Sequence, residues 1–272
     1  MKLNNKRTIF VGLAFLSICT FWQMYDSVIT KILTETFHLN ESITGAIMAA
    51  DNILALFLLP FFGSLSDKTS TRLGKRTPYI LVGTACAVVL MNFMPLLDNS
   101  YAADPAPWKQ ILFVVVLGLL LVSMGTYRSP AVALMPDVTP KPLRSKANAI
   151  INLMGAVGGI LYLGVAAVMY PNSKIAGLEH VNYQPLFWTV SGIMVAAIAQ
   201  RNPALVPVAA LFLAYVRVGA DVISRTSDVP SEIVSIIQAL IIMLVGAQMF
   251  LSGIRHKQIV KAASRQLEKE GK

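Results

Sequence analysis

Three ionisable side chains stand inside long apolar stretches of this sequence: Asp26, Asp51 and Arg128. A charge within hydrocarbon costs about 2.5–3.5 kcal/mol on insertion scales, so such residues usually hold a ligand or a partner. Asp51 lies nine residues into an apolar run that starts at Ser42, about 14 Å deep at about 1.5 Å per residue. A carboxylate at that depth can hold a proton or a small cation. Arg128 can act as its countercharge or bind a polar ligand. Trp22 and Tyr25, just before Asp26, offer aromatic faces on which a sugar ring could stack. The competing reading is structural: an ion pair between helices for Asp51 and Arg128, and an interfacial place without a ligand for Asp26.

A second set of charges lies between two apolar runs, in Ser66-Asp67-Lys68-Thr69-Ser70-Thr71-Arg72-Leu73-Gly74-Lys75-Arg76-Thr77-Pro78. Its cations cannot enter hydrocarbon cheaply, so the stretch predicts a short cytoplasmic turn between two membrane-spanning helices. Asp67 sits where a helix would end, able to pair with a basic group. Gly63, one turn earlier, would let that helix approach a neighbour closely.

The elements that must carry these residues follow from composition. The chain has 272 residues, 55% hydrophobic and 14% charged, against roughly 25% charged in ordinary soluble domains. The expected class is an all-α integral membrane protein whose apolar surface faces lipid. Runs of the required length predict spans at Thr8–Leu33, Ser42–Leu65, Tyr79–Leu97, Gln110–Met135 and Ala147–Tyr170. Shorter or later ones follow at Leu186–Ala199, Ala204–Val218 and Glu232–Ser252. The run from Thr8 shows no small-x-small cleavage site and reads as an uncleaved first helix. His38-Leu39-Asn40-Glu41-Ser42 reads as a cap of the second helix, and Asp98 to Pro107 as an irregular connection.

Cation placement predicts orientation. With the N-terminus inside, Lys2, Lys6, Arg7, Lys68, Arg72, Lys75, Arg76, Lys141, Arg144, Lys146, Arg201 and the basic tail 253–272 share the cytoplasmic side. The other side receives Lys31, Lys109, Lys174, Arg217 and Arg225. That asymmetry predicts a multi-pass protein of the cell (inner) membrane with both termini cytoplasmic. The +9 formal charge therefore reads as attraction to lipid rather than to nucleic acid.

Gly63-x-x-Ser66-Asp67 followed by Arg72-x-Gly74-Lys75-Arg76 resembles the loop between helices two and three of the major facilitator superfamily. The added Lys68-Thr69-Ser70-Thr71 makes it similar to the branch of sugar–cation symporters that includes glycoside, pentoside and sucrose carriers. Tyr127-Arg128-Ser129-Pro130 and the stretch from Met135-Pro136-Asp137 to Arg144-Ser145-Lys146-Ala147-Asn148 also look like that branch, where they link helices four and five. The resemblance implies a six-helix half bundle over about 8–190, with domain limits at 1–190. It implies a sugar or glycoside carrier coupled to a cation or proton, with Asp51, Asp26, Arg128, Trp22 and Tyr25 at the site. Asp67, Arg72, Arg76, Asp137 and Arg144 would form the cytoplasmic gate, with Pro130 breaking helix four. Symporters of that branch carry two acids on helix two; Ala55 and Leu59 stand in those places here, so the resemblance brings no coupling acid to them.

From Gly192 onward the residues are similar to a different family. Gly192 to Pro203, Val216 to Asp221 and Val229-Pro230 to Gln238 resemble the C-terminal end of permease subunits in ABC importers of simple sugars and nucleosides. This implies a second membrane segment over 191–252, about two further helices, and a fusion near residues 188–199. One facilitator half joined to such an end would not complete a transport cycle as a lone monomer. The alternatives are pairing of two copies, a permease subunit with a separate ATPase, or a membrane fusion product that transports nothing.

No enzyme is expected. His38, His180 and His256 fall in polar segments and make no Ser-His-Asp or Cys-His arrangement, and no phosphate loop follows a strand. Cys19 and Cys86, isolated within apolar runs, read as small packing residues. No cofactor and no metal are expected. Gly155-x-x-x-Gly159, with Gly158 and Gly164, predicts close packing of helix five.

Overall fold

Apolar length sets the architecture. The computed structural model describes residues 5–199, which are helices joined by short turns, with no strand among them. α1 (Asn5–Met24) continues through two wide π turns, Tyr25–Ile29 and Ile32–Thr36, giving one apolar span from Thr8 to Thr36. α2 (Glu41–Lys68) starts at Asn40, whose side-chain oxygen accepts the Ser42 N–H at 2.9 Å, as an N-cap should. α3 (Thr77–Ala103) has Pro78 in its first turn, where no N–H is needed. α4 is Pro107–Val138, and a 3₁₀ turn, Lys141–Leu143, leads into α5 (Arg144–Met169). A single turn, α6 (Asn172–Ile175), precedes the shorter apolar α7 (Gln184–Ala199). Five of these helices are long and apolar enough to cross a membrane, and the protein is an all-α integral membrane protein. The spans expected at Ala204–Val218 and Glu232–Ser252, and the basic tail, lie outside the described residues.

Two expectations are corrected. α3 does not end at Leu97 but runs on through Asp98 to Ala103. α4 does not break at Pro130 and also passes through Pro136. A proline removes one hydrogen bond to the carbonyl four residues earlier. Inside a membrane bundle, packed neighbours hold such a helix together.

Lipid is as apolar as leucine, so helices here associate through close approach and hydrogen bonds rather than flight from water. α1 packs against α5, and α3 against α4. At the first contact a Cβ on Gly158 would collide with the Leu16 carbonyl. The missing side chain lets Thr20 Oγ1 donate to the Gly158 carbonyl at 3.1 Å. Of the expected glycines, Gly155 and Gly158 face α1, whereas Gly164 faces open space. At the second contact, Gly83 lies against the α4 backbone at Ser123 and Tyr127. Tyr127 is fully buried; its hydroxyl meets Ser17 Oγ at 2.6 Å and donates to the Ala14 carbonyl at 3.1 Å, tying α4 to α1. α7 closes on α1 and α3, with Asn92 Nδ2 donating to Ser191 Oγ at 2.9 Å. α2 packs mainly on α4 and leaves Ile53, Leu56, Phe57 and Phe61 exposed. Replacing Gly158 with Leu should separate α1 from α5. Overpacking of this kind costs about 1–3 kcal/mol, and thermal unfolding of the purified protein in detergent will register it as a lower midpoint. The same change at Gly164 should be silent.

Candidate functional site

Helical spacing builds a crevice between α1, α2 and α4. On α2, Asp51, Leu54, Ala55, Leu58 and Leu59 recur every three or four residues and share one face. On α4, Leu121, Gly125 and Arg128 do the same, and α1 contributes Trp22. Asp51 is ten residues from the start of α2 at Glu41, about 15 Å along the axis, hence mid-membrane. Gly125 lets Leu58 sit directly on α4. Ser129 Oγ donates to the Leu59 carbonyl at 2.7 Å, pinning α2 beside Arg128.

The Arg128 guanidinium lies over the Trp22 indole, 5.4 Å from the ring centroid, a cation–π contact worth roughly 0.5–2 kcal/mol. No ion pair joins Arg128 to Asp51 among the described residues. Asp51 instead accepts the Asn52 side-chain amide at 2.8 Å. The crevice therefore holds one carboxylate and one guanidinium that do not neutralise each other by contact, beside an aromatic face. That arrangement can bind a polar solute and a cation together.

The structure brings together three of the five expected site residues. Tyr25 is buried behind Trp22, edge-to-face at 5.2 Å, and does not line the crevice. Its hydroxyl and Trp22 Nε1 are buried without hydrogen-bond partners. Asp26 is exposed and also lies off the crevice. Ala55 and Leu59, the apolar stand-ins for the acids of the resembling symporters, are in its wall. Leu54, Leu58, Leu121 and Gly125 were not singled out from sequence, although their spacing from Asp51 and Arg128 places them on the same helical faces.

At one end of the bundle the charged loops meet. Arg76 is 9% exposed and donates Nη2 to Asp67 Oδ1 at 2.7 Å, Nε to Asp137 Oδ2, and Nη1 to Ser66 Oγ at 3.0 Å. Burial works against its charge, but the hydrogen bond and charge of Asp137, with those of Asp67, outweigh this and hold the guanidinium more firmly protonated. The loop that delivers Arg76 turns at Gly74, whose φ of +99° favours glycine. Of the five expected gate residues, Asp67, Arg76 and Asp137 form this cluster. Arg72 is exposed. Arg144 reaches the other way, donating Nη2 to the Pro136 carbonyl at 3.0 Å, and so caps the end of α4.

The sequence pattern of the Major Facilitator Superfamily matches residues 11–258. The sucrose transport protein SUC3 of Arabidopsis thaliana is 28% identical over 158 residues, covering 54% of this chain and 26% of that protein. The sucrose transport protein SUT3 of Oryza sativa subsp. indica is 30% identical over 154 residues, 52% of this chain and 30% of its own length. The alpha-ketoglutarate permease of Escherichia coli (strain K12) is 26% identical over 197 residues, 71% of this chain and 41% of the permease. The chain thus spans less than half the length of each of these relatives. No solved structure matches the chain at significance. With the family pattern running through all six described apolar helices and on to residue 258, the chain belongs to the Major Facilitator Superfamily.

Proposed function

We propose that the chain serves transmembrane movement of a sugar or glycoside coupled to a proton or other cation. The observation that carries this is the mid-membrane crevice in which Asp51, Arg128 and the Trp22 face converge. Carriers of this kind bind near the bilayer midplane. Trp22 would stack on a pyranose ring, Arg128 would donate to its hydroxyls, and Asp51 would take the cation. The Arg76–Asp67–Asp137 cluster would lock the cytoplasmic end while the crevice is open to the other side. Two of the relatives are named as sucrose transport proteins, which supports a sugar.

A second reading concerns the solute. Arg128 has no carboxylate partner within ion-pair distance among the described residues, and one relative is named an alpha-ketoglutarate permease. A small carboxylate would satisfy that guanidinium bidentately. The facilitator pattern continues across residues 192–258, where an ABC-permease end was expected; this favours one continuous carrier over a subunit that needs an ATPase.

The test is uptake into vesicles containing the purified protein, under an imposed proton or sodium gradient. Radiolabelled sucrose, a glucoside and 2-oxoglutarate are compared. Gradient-driven sugar uptake, reduced at least about tenfold by Asp51→Asn, is the expected result; loss of one charge-assisted contact is worth about 1.5–3 kcal/mol. Carboxylate uptake alone transfers the site to the second reading. Stimulation only by a co-purifying ATPase would favour the ABC reading. Correct insertion with no uptake of any solute overturns the proposal.

A further inference from the structure

At the end of the bundle opposite Arg76 lies a carboxylate that the crevice does not use. Asp98 is 21 residues from the start of α3 at Thr77, about 32 Å along the helix, and so at the far edge of the hydrocarbon. It is fully buried, and neither carboxylate oxygen has a hydrogen-bond partner of ordinary geometry, although the Thr36 hydroxyl at the end of α1 lies against it. His180, in the connection between α6 and α7, places Nε2 3.8 Å from Asp98 Oδ2.

The same imidazole bridges two helices. Its Nε2 meets Asn99 Oδ1 on α3 at 2.9 Å, and its Nδ1 meets Thr36 Oγ1 on α1 at 3.4 Å. Asn99 Nδ2 donates to Asn182 Oδ1 at 3.0 Å, and Asn182 Oδ1 also accepts the Gln184 N–H that opens α7. Tyr170 donates to the Asn182 carbonyl at 2.8 Å. The connection 171–183 is therefore strapped to α1 and α3 by His180 and to α3 and the end of α5 by Asn182.

A buried carboxylate without donors is costly when charged and unpaired. His180 is the imidazole within reach. One proton shared by the two, either as acid and neutral imidazole or as an ion pair, leaves no uncompensated charge. Removing that proton leaves a lone buried anion. Adding a second leaves an imidazolium without an anion, and burial already holds the His180 ring below the usual histidine range. The other groups nearby do not replace either partner. α1 brings the exposed Glu35, the connection carries the exposed Glu179, and α3 continues to Tyr101. α5 and the start of α7 bring Tyr162, Tyr170 and Tyr183, and α7 itself has no titratable residue in its described length.

We propose that Asp98 and His180 form a proton-binding site on this far face, which holds the 171–183 connection against α1 and α3 when it carries one proton and releases it when that proton is lost. The site is separate from the crevice, and its test reads the connection rather than transport. A nitroxide is attached to Leu178→Cys, an exposed position on the connection, in full-length protein with Cys19→Ala and Cys86→Ala. Its mobility is followed by electron paramagnetic resonance against pH. The label should be most restricted at intermediate pH. On the alkaline limb the docked-to-released ratio should fall about tenfold per pH unit, as a one-proton step requires. Asp98→Asn, which cannot lose a proton, should stay docked through that limb. An alkaline limb unchanged in Asp98→Asn, or a label equally mobile at all pH values, overturns the proposal. Should Asp98→Asn not fold, the infrared carbonyl band of a protonated carboxyl is followed in the parent protein. Its loss must track the release of the label, and a band that persists through release, or is absent throughout, also overturns the site.

Discussion

Replacing both Asp67 and Asp137 with Asn should destabilise the bundle by more than the sum of the two single replacements. Arg76 cannot shed its charge, because a guanidinium stays protonated at any pH the fold survives. It is 9% exposed, whereas Asp67 is 62% and Asp137 47% exposed. Losing one carboxylate leaves the buried cation with the other, and the half-solvated partner is worth about 1 kcal/mol. Losing both leaves a buried cation with no counter-charge, met only by neutral acceptors such as Ser66 Oγ, a loss of about 3–5 kcal/mol. The excess over additivity, about 1–3 kcal/mol, is read from a double-mutant cycle of unfolding free energies in detergent. Additive singles would mean that Arg76 escapes to solvent when one acid is removed. Arg144→Ala belongs outside the cycle, since that side chain meets the carbonyls of Pro136 and Thr139 instead.

Arg128→Gln should weaken solute binding by about 10–100-fold, the factor that accompanies loss of about 1.5–3 kcal/mol of charge-assisted hydrogen bonding. The guanidinium is held on the Trp22 face and beside the Ser129–Leu59 contact, so it is positioned before any solute arrives. Glutamine keeps a donor but loses both the charge and the fork. Equilibrium binding of labelled sucrose and of labelled 2-oxoglutarate to the purified protein measures the change for each. A much greater loss for the carboxylate would mark an anion site, and equal losses a hydroxyl-binding one. Arg128→Lys should rescue charge without bidentate geometry and recover only part of the affinity.

The order of the helices was legible because apolar length alone decides it. The first six expected spans match α1 with its π turns, α2–α5 and α7 to within about three residues at each end, save the end of α3, which runs six residues further. Asp67, Arg76 and Asp137 are among the five gate residues that the facilitator resemblance implies, but nothing in the sequence separates them from Arg72 and Arg144, which do not join the cluster. The failures have physical causes. Asp98 reads as a loop residue, since a lone acid near a predicted helix end gives no sign that α3 runs on and buries it. His180 reads like the other histidines of polar segments; its partners lie 81 and 144 positions away in sequence, beyond any periodicity. Tyr25 and Asp26 follow Trp22 by three and four residues, which on a regular α-helix would share its face, but the helix widens into a π turn over Tyr25–Ile29, and only Trp22 reaches the crevice. Pro130 reads as a break because helix rules learned in water do not include packed membrane neighbours.

α2 has 28 residues, about 42 Å of helix, for a hydrocarbon layer of about 30 Å. Among the described residues no side chain of its most apolar stretch is fully buried, and only one face of that stretch packs on α4. An overlong, weakly gripped helix adapts to the thickness of its host by leaning. Ser129 and Gly125 hold it to α4 near its middle, and there the lean has its pivot. Thickening or thinning the bilayer would then swing the Glu41 end of α2, about 26 Å from that fulcrum, more than twice as far as Asp51, about 11 Å from it.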